Sequence, residues 1–245
     1  MIASSVPIDE LEDRIRTRLT DSRMSQIYVI GEKPTPLMEY AWGPEFKLQK
    51  TMTFENFDYR RVNLPPEQRE NLEQVYRLAL DFAEAPEGWL VFMGVTGCGK
   101  THLAAAIVNY RYQANQPALF MVVPEFLDHL RSTFSPESKI SFDQLFDSVK
   151  TTPLLILDDF GEHSTTPWAQ EKLYQVINYR YNARLATVFS TRYSLDDILD
   201  GVDNSISSRL VDPKISTPFN ITAPDYRGDL RLGRRKTYRG GKKGP

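Results

Sequence analysis

The chain has 245 residues, of which 41% are hydrophobic and 25% charged, and its formal net charge at pH 7 is −2. This is the composition of a soluble globular protein long enough for one α/β domain and an extension, and no apolar run approaches the roughly 18 residues that cross a bilayer. A single cysteine, Cys98, excludes an internal disulfide, and the N-terminus lacks a secretory pattern, so we expect a cytoplasmic protein without membrane contact.

Residues 1–50 differ in character from the rest of the chain. A narrow apolar stripe at helical spacing is formed by Ile8, Leu11, Ile15 and Leu19. The stretch 31–50 is rich in proline and glycine, as an irregular linker is. We therefore predict a partly helical, partly irregular extension that docks either on a partner or on the protein's own core.

Strand-like and helix-like segments alternate over 51–229. The predicted strands are 89–93, 118–123, 154–157, 186–191 and 215–221. The predicted helices are one opened by Pro65-Pro66 and others over 102–108, 125–133, 142–150, 167–184, 195–200 and 203–210. This alternation predicts an α/β fold with a parallel five-stranded sheet between helices.

The first predicted strand runs into Gly94-Val95-Thr96-Gly97-Cys98-Gly99-Lys100-Thr101, which has the spacing G-x-x-x-x-G-K-[ST] of a phosphate-binding loop. Glycines let the backbone turn its N–H groups toward phosphate oxygens, and the following helix adds its positive end. Lys100 is expected to reach the β- and γ-phosphates and the Thr101 hydroxyl to bind Mg²⁺. We include His102, which follows directly, among the candidate nucleotide contacts.

The apolar run 154–157 ends in Asp158 and Asp159. A buried parallel strand places such acids at the sheet edge where α/β folds bind ligands. Asp158 is the candidate for orienting Mg²⁺ through water, and Asp159 for polarising the attacking water. A strand that merely ends in a polar turn is the alternative.

Two further segments contain candidates for phosphate contacts. Ser190, Thr191 and Arg192 end the fourth predicted strand, and each is a candidate for touching the γ-phosphate. Arg209 lies on a short predicted helix from which an arginine finger could reach the nucleotide of a neighbouring subunit. An ordinary solvated arginine is the alternative at that position.

The last segment, 230–245, holds seven of the 30 Lys and Arg residues and none of the 32 Asp and Glu residues. We predict a basic disordered tail. Such an arm is typical of nucleic-acid contact, and the alternative is a solvated terminus that only aids solubility.

Together these motifs resemble the bacterial helicase-loader and transposition-helper group of AAA+ ATPases, called DnaC, DnaI and IstB-like. The resemblance runs from about Thr53 to Arg227, and its motifs are Thr53–Phe57, 94–103, 157–161, 168–181 and 207–210. It implies a P-loop NTPase of the AAA+ type over 51–229, without a C-terminal lid domain. It also implies that Arg209 acts in trans and that Arg227 lies near the phosphates.

Two features depart from the group. Asparagine is usual at the strand-end sensor, where this chain has Arg192 or Thr191. Residues 1–50 lack the cysteine cluster of some loaders. The first departure puts the hydrolysis rate in doubt and leaves open a nucleotide-binding scaffold without turnover.

The resemblance implies an ATPase with ATP or ADP and Mg²⁺ as cofactors, which forms a homo-oligomer when ATP is bound. The leading prediction is a loader that assembles on single-stranded DNA with a replicative helicase as partner. The alternative is a transposition helper that binds duplex DNA and a transposase. A small-molecule kinase would need an acceptor-binding insertion and an arginine-bearing lid, and neither pattern is found.

Candidate DNA contacts follow the second predicted strand. They are Arg131, Lys139, Phe126 and Phe134. Cations suit the phosphate backbone and aromatic rings suit base stacking. Both phenylalanines could instead belong to the core.

Overall fold

A computed structural model describes residues 48–135, 137–138, 141–161, 166–194, 196–198 and 204–227. After a 3₁₀ turn over Gln49–Thr51, the helices are α1 (Pro66–Glu84), α2 (Lys100–Gln113), α3 (Val123–Ser132), α4 (Phe142–Thr151), α5 (Pro167–Asn182) and α6 (Asn204–Leu210). The strands are β1 (Trp89–Gly94), β2 (Leu119–Val122), β3 (Leu154–Asp158), β4 (Ala186–Thr191) and β5 (Ser216–Ile221). Within these ranges, no helix combines the length and the apolar character that a bilayer span requires.

The five strands form one parallel sheet in the order β2-β3-β4-β1-β5, which confirms the predicted fold. Strand β4 lies between β3 and β1, with Leu157 opposite Phe189 and Met93 opposite Thr191. Because parallel strands end at the same edge, this register brings together the segments that follow β1, β3 and β4. These are the three segments on which the sequence places the phosphate loop, the acids and the sensor.

The predicted boundaries differ from the structure at α2 and around β2. Helix α2 runs from Lys100 to Gln113, beyond the predicted 102–108. Helix α3 begins at Val123, whereas the sequence predicts a strand up to that residue and a helix from 125. Proline is favoured in the first turn of a helix because its missing N–H would be unsatisfied there anyway, and Pro124 occupies such a position. The predicted helix over 195–200 lies partly outside the described residues, and residues 1–47 and 230–245 lie wholly outside them.

Arg180 is a charged residue whose side chain lies within the core, next to the sheet. It is fully buried on α5. Its Nη1 donates to the carbonyls of Lys150 and Thr152 at 3.0 and 2.8 Å, its Nε donates to Oγ1 of Thr187 at 2.9 Å, and its Nη2 donates to the carbonyl of Ala186 at 2.5 Å. Arg180 therefore joins α5 to the end of α4 and to the start of β4.

Candidate nucleotide-binding site

The loop between β1 and α2 has a conformation that depends on glycine. Gly97 and Gly99 have φ values of +81° and +118°, which residues with a Cβ rarely adopt. A Cβ on Gly97 would lie 1.9 Å from Oδ1 of Asp225, and one on Gly99 would lie 2.7 Å from the Phe57 ring. The loop is therefore packed on both sides, and helix α2 begins directly behind it at Lys100, with its N-terminal amides facing the loop.

Lys100 folds back into the loop that precedes it. Its side chain is buried, and Nζ donates to the carbonyls of Gly94 and Val95 at 2.6 and 3.0 Å. The ammonium thus lies among the backbone atoms that the sequence assigns to phosphate binding. Cys98 is buried beside it, and burial raises the pKa of the thiol above its ordinary value. The thiol therefore stays protonated and unreactive at neutral pH.

Two hydroxyl groups converge on the carboxylate of Asp158, which is 1% exposed at the end of β3. Thr101 Oγ1 donates to Oδ1 at 3.1 Å, and Ser190 Oγ from β4 donates to the same oxygen. Burial raises the pKa of Asp158 to about 6, against the hydrogen bond from Ser190, which lowers it. The structure therefore brings together Thr101 and Asp158, the two predicted Mg²⁺ ligands.

The donor set at this point fits a hard divalent cation. Hydroxyl and carboxylate oxygens are the ligands that Mg²⁺ prefers, and Mg²⁺ is usually held by one or two protein groups together with phosphate oxygens and water. In the part of the chain that the structure describes, no group of three or more His, Cys, Asp or Glu residues could hold a metal by itself. Thr101 and Asp158 would hold such a cation together with phosphate oxygens and water.

Asp159 is exposed at the sheet edge, next to Asp158. Its φ is +52°, a left-handed conformation that is uncommon for a residue with a Cβ. Ser190 fixes this turn, because its Oγ accepts from the N–H of Asp159 at 3.2 Å and its carbonyl accepts from the N–H of Phe160 at 2.8 Å. The carboxylate is consequently presented to solvent from a backbone held by β4.

The three sensor candidates have different surroundings. The hydroxyl of Ser190 is engaged with Asp158, and the buried Thr191 accepts from the N–H of Tyr193 at 3.2 Å. Arg192 is exposed, with its guanidinium 5.7 Å from the ring centroid of Tyr193. Of the three side chains, that of Arg192 is the one at the surface.

The segment after β5 lies against the phosphate loop. The N–H of Tyr226 donates to the carbonyl of Gly97 at 3.0 Å, and Asp225 Oδ1 accepts from the N–H of Arg227 at 2.9 Å. Arg61 supports this segment through a hydrogen bond to the carbonyl of Pro224 at 3.0 Å and through the face of the Tyr226 ring, 5.0 Å away. The backbone of Arg227 is therefore one residue from a contact with the loop, and its side chain is exposed.

An aromatic segment before α1 lies on the other side of the loop. Phe57, which packs on Gly99, meets the His102 ring edge-to-face at 5.2 Å. The Nε2–H of His102 donates to the carbonyl of Thr53 at 2.9 Å, and burial lowers the pKa of His102, so the ring is neutral at pH 7. His102, predicted as a nucleotide contact, is thus seated against this aromatic segment.

Arg209 lies on α6 and packs on α5. Its Nη2 donates to Oδ1 of Asn178 at 2.8 Å, and its Nη1 donates to the carbonyl of Ser205. Its guanidinium lies 5.4 Å from the ring centroids of both Tyr174 and Tyr181. These partners are not predicted from the sequence, although positions 174, 178 and 181 share one face of the predicted helix 167–184.

The candidate DNA contacts fall into three classes. Phe126 is 0% exposed and belongs to the core, so its proposed base-stacking role is wrong. Phe134 is 63% exposed and stacks on Phe142 at 5.4 Å, and Arg131 lies 5.0 Å from the Trp168 ring centroid. Lys139 lies outside the described residues.

Known proteins resemble this chain in sequence. Residues 44–212 match the family model described as IstB-like ATP binding protein. The replicative helicase loader DnaI of Bacillus subtilis is 33% identical over 110 residues, which are 44% of this chain and 34% of DnaI. The replicative helicase loader DnaC of Buchnera aphidicola subsp. Schizaphis graminum is 25% identical over 203 residues, which are 82% of this chain and 79% of that protein.

A solved structure of the DnaC helicase loader superposes with a TM-score of 0.59 at 21% identity, over 72% of this chain and 99% of that one. At this identity the likeness concerns the fold, and it confirms the predicted α/β architecture with a parallel five-stranded sheet between helices. The family match covers more than half of the chain, from before β1 to the end of α6, and includes the phosphate loop, the two acids and Arg209. The chain therefore belongs to the family of IstB-like ATP-binding proteins.

Proposed function

We propose that the protein is an ATPase that assembles on single-stranded DNA and loads a replicative helicase. The observation that carries ATP chemistry is the convergence of Thr101 and Ser190 on the buried Asp158, behind a glycine-dependent loop that contains Lys100. The names of the relatives, DnaI and DnaC, support the helicase as partner.

The loop supplies the binding energy for the triphosphate. Its amides and the N-terminus of α2 favour an anion, and Lys100 would exchange the carbonyls of Gly94 and Val95 for phosphate oxygens. Arg192 and Arg227, whose side chains are exposed near the same edge, are proposed to contact the phosphates from β4 and from the segment after β5.

Thr101 and Asp158 are proposed to hold Mg²⁺, Thr101 through its hydroxyl and Asp158 through water. When bound, the cation neutralises charge on the phosphate oxygens. Asp158 must be ionised for this role, and its raised pKa of about 6 leaves it ionised above that pH.

Asp159 is proposed to orient the attacking water and to accept its proton. A general base must reach the water, and Asp159 is exposed, whereas Asp158 is buried among hydroxyls. The rigid turn held by Ser190 fixes the direction from which the Asp159 carboxylate acts. In this proposal Asp158 therefore acts on the metal and Asp159 acts on the water.

Arg209 is proposed as a finger that stabilises charge on the phosphoryl group bound by an adjacent subunit. Its partners within the subunit lie on α5 and α6. ATP would thus be hydrolysed between subunits, and turnover would depend on assembly.

The proposed single-stranded DNA site is an aromatic patch formed by Phe134, Phe142 and Trp168, which lies over the buried Phe146. Phe142 stacks on Phe146 at 5.3 Å as well as on Phe134, and Arg131 and Lys172 lie over rings of the patch. Rings that stack with bases and cations that follow phosphates are the usual elements of such a site. Residues 230–245 are proposed to add non-specific attraction through their charge.

A transposition helper that binds duplex DNA and a transposase is the second candidate. The observation that favours it is the IstB-like description of the family model that covers 44–212.

The experiment that separates the candidates measures ATP turnover and binding of fluorescent oligonucleotides side by side. The proposed function predicts turnover that rises steeply with protein concentration, is stimulated by single strands and is abolished in Lys100→Ala. It also predicts co-purification with the replicative helicase of the host. Preferential stimulation by long duplex DNA without helicase capture would support the transposition helper instead, and absence of turnover under all conditions would contradict both.

A further inference from the structure

The guanidinium of Arg209 is enclosed by one face of α5. Tyr174, Asn178 and Tyr181, which we call the α5 cradle, are four and three positions apart, the spacing of neighbours on a helix surface. The centroids of the two tyrosine rings are each 5.4 Å from the guanidinium. Oδ1 of Asn178, whose position in the sequence is between the two tyrosines, accepts from Nη2 at 2.8 Å.

The cradle is anchored on its core side. Tyr181 donates its hydroxyl hydrogen to Oδ2 of Asp212 at 2.5 Å, and its ring meets the buried Trp89 edge-to-face at 5.8 Å. Tyr174 and Asn178 also line an open groove of about 420 Å³ between α4 and α5, which Arg209 does not line. Arg209 itself is half-buried, so part of its side chain reaches solvent. A side chain whose supports are themselves fixed is pre-organised to meet a ligand.

The cradle orients the cation without neutralising it. Among the residues that the structure describes, its partners are a backbone carbonyl, an amide oxygen and two phenol rings, none of which carries a negative charge. A guanidinium has two hydrogens on each terminal nitrogen, so one hydrogen bond on each leaves a second N–H for an acceptor. An arginine used only to join α6 to α5 would gain more from a carboxylate partner.

We propose that Asn178, with Tyr174 and Tyr181, positions Arg209 toward the nucleotide bound by a second copy of this chain. The inference rests on the proposed role of Arg209 between subunits. Asn178 fixes the direction of Nη2, and the two rings restrict rotation of the guanidinium plane. Because a positioned charge is worth most where charge develops during phosphoryl transfer, loss of this orientation slows turnover and leaves ATP binding intact.

The first test compares Asn178→Ala with Asn182→Ala. Asn182 is the same residue type one turn further along α5, is exposed and lines the same groove. We expect Asn178→Ala to lower kcat about 10-fold or more, with KM for ATP and the thermal midpoint unchanged. Asn182→Ala is expected to match the unmodified protein. Equal turnover of both variants and the unmodified protein would overturn the proposal.

The second test is complementation between subunits. Asp159→Asn subunits keep Arg209 and its cradle but lack the proposed base, so they are expected to be inactive alone. A mixture of Asp159→Asn and Asn178→Ala subunits should turn over ATP faster than the sum of the two variants measured alone. The reason is that the active sites of Asn178→Ala subunits then receive a correctly oriented Arg209 from Asp159→Asn neighbours. No gain on mixing would place the defect within the Asn178→Ala subunit itself and overturn the positioning role.

Arg209→Ala distinguishes a failure of the proposed finger from a failure of its positioning by Asn178. Normal turnover in Arg209→Ala would show that the proposed finger is wrong, and the inference with it. Loss of turnover in Arg209→Ala together with normal turnover in Asn178→Ala would leave the finger standing and overturn only its positioning by Asn178.

Discussion

The backbone N–H of Tyr226, in the segment after β5, donates a hydrogen bond to the carbonyl of Gly97 at a distance of 3.0 Å. The adjoining Asp225 carboxylate fills the space that a Cβ on Gly97 would need. The segment after β5 is thus attached to the phosphate loop through main-chain atoms, so the loop's shape depends on residues about 130 positions away.

Tyr226→Pro tests this attachment, because proline lacks the N–H that reaches Gly97. We expect the dissociation constant for ATP to rise several-fold, since the loop loses one of its supports. Tyr226→Ala is the control: it keeps the N–H and removes only the ring over Arg61. Isothermal titration with a non-hydrolysable analogue measures both, and equal affinities for the two variants would show that the backbone contact is unimportant.

Asp158→Asn is expected to stabilise the protein when Mg²⁺ and nucleotide are absent. Burial raises the pKa of Asp158 from 3.8 to about 6, so its contribution to stability is present below about pH 4 and is lost as the pH rises through 6. An amide carries no charge at any of these pH values. The free energy of unfolding at neutral pH should therefore rise by about 1–3 kcal/mol.

Urea denaturation between pH 4 and pH 8 measures this effect, with the exposed Asp159→Asn as the matched control. The two unfolding curves of Asp158→Asn and the unmodified protein should converge in acid and separate above about pH 6. Mg²⁺ and ATP should then stabilise the unmodified protein more than Asp158→Asn. A variant that is less stable at neutral pH would contradict the assignment of burial as the dominant cause.

Arg180→Met is expected to destabilise the fold by about 3–5 kcal/mol, because it takes the donor away from carbonyls at the end of α4 and from the buried carbonyl of Ala186 at the start of β4. Arg77→Met is the control. Arg77 forms an exposed ion pair with Glu73 and should change stability by less than about 0.5 kcal/mol. Chemical denaturation of both variants provides the comparison, and similar losses would show that Arg180 adds little.

Phe134→Ala is expected to weaken binding of single-stranded DNA by about 1–3 kcal/mol, the usual contribution of one stacked base. Tyr112→Ala removes an exposed ring on α2, away from the aromatic patch, and should leave affinity unchanged. Fluorescence anisotropy with a labelled oligonucleotide measures the difference. Equal affinities would place the DNA elsewhere on the protein.

Removal of residues 230–245 takes away seven positive charges. If they contact phosphates, the slope of log affinity against log salt should decrease by about 0.7 for each contact with a single strand. ATP turnover without DNA serves as the control and is expected to stay unchanged. An unaltered salt slope would show that the tail does not touch nucleic acid.

The phosphate loop and the strand that precedes it were predictable because their signal is local. Seven consecutive positions from Gly94 to Lys100 fix the loop, and the apolar residues on either side fix a strand and a helix. Thr101 and Asp158 could be paired in advance because the chemistry of the motif implies a shared cation.

Contacts that depend on sheet register or helix packing could not be predicted from the sequence. Ser190 was a candidate for the γ-phosphate, but the register of β3 and β4 directs its hydroxyl to Asp158, 32 residues earlier. Phe126 and Phe134 are alike in sequence, and only the packing of α3 buries one and exposes the other. The cradle around Arg209 likewise arises where α6 meets α5.

The Phe57 ring leans on Gly99 from a segment that enters the domain directly after the predicted extension. A displacement of the chain before Thr53 would therefore be transmitted to the phosphate loop over a short distance, through the Phe57 ring and the His102 imidazole. A protein that binds the extension would then act on the same phosphate loop that responds to ATP.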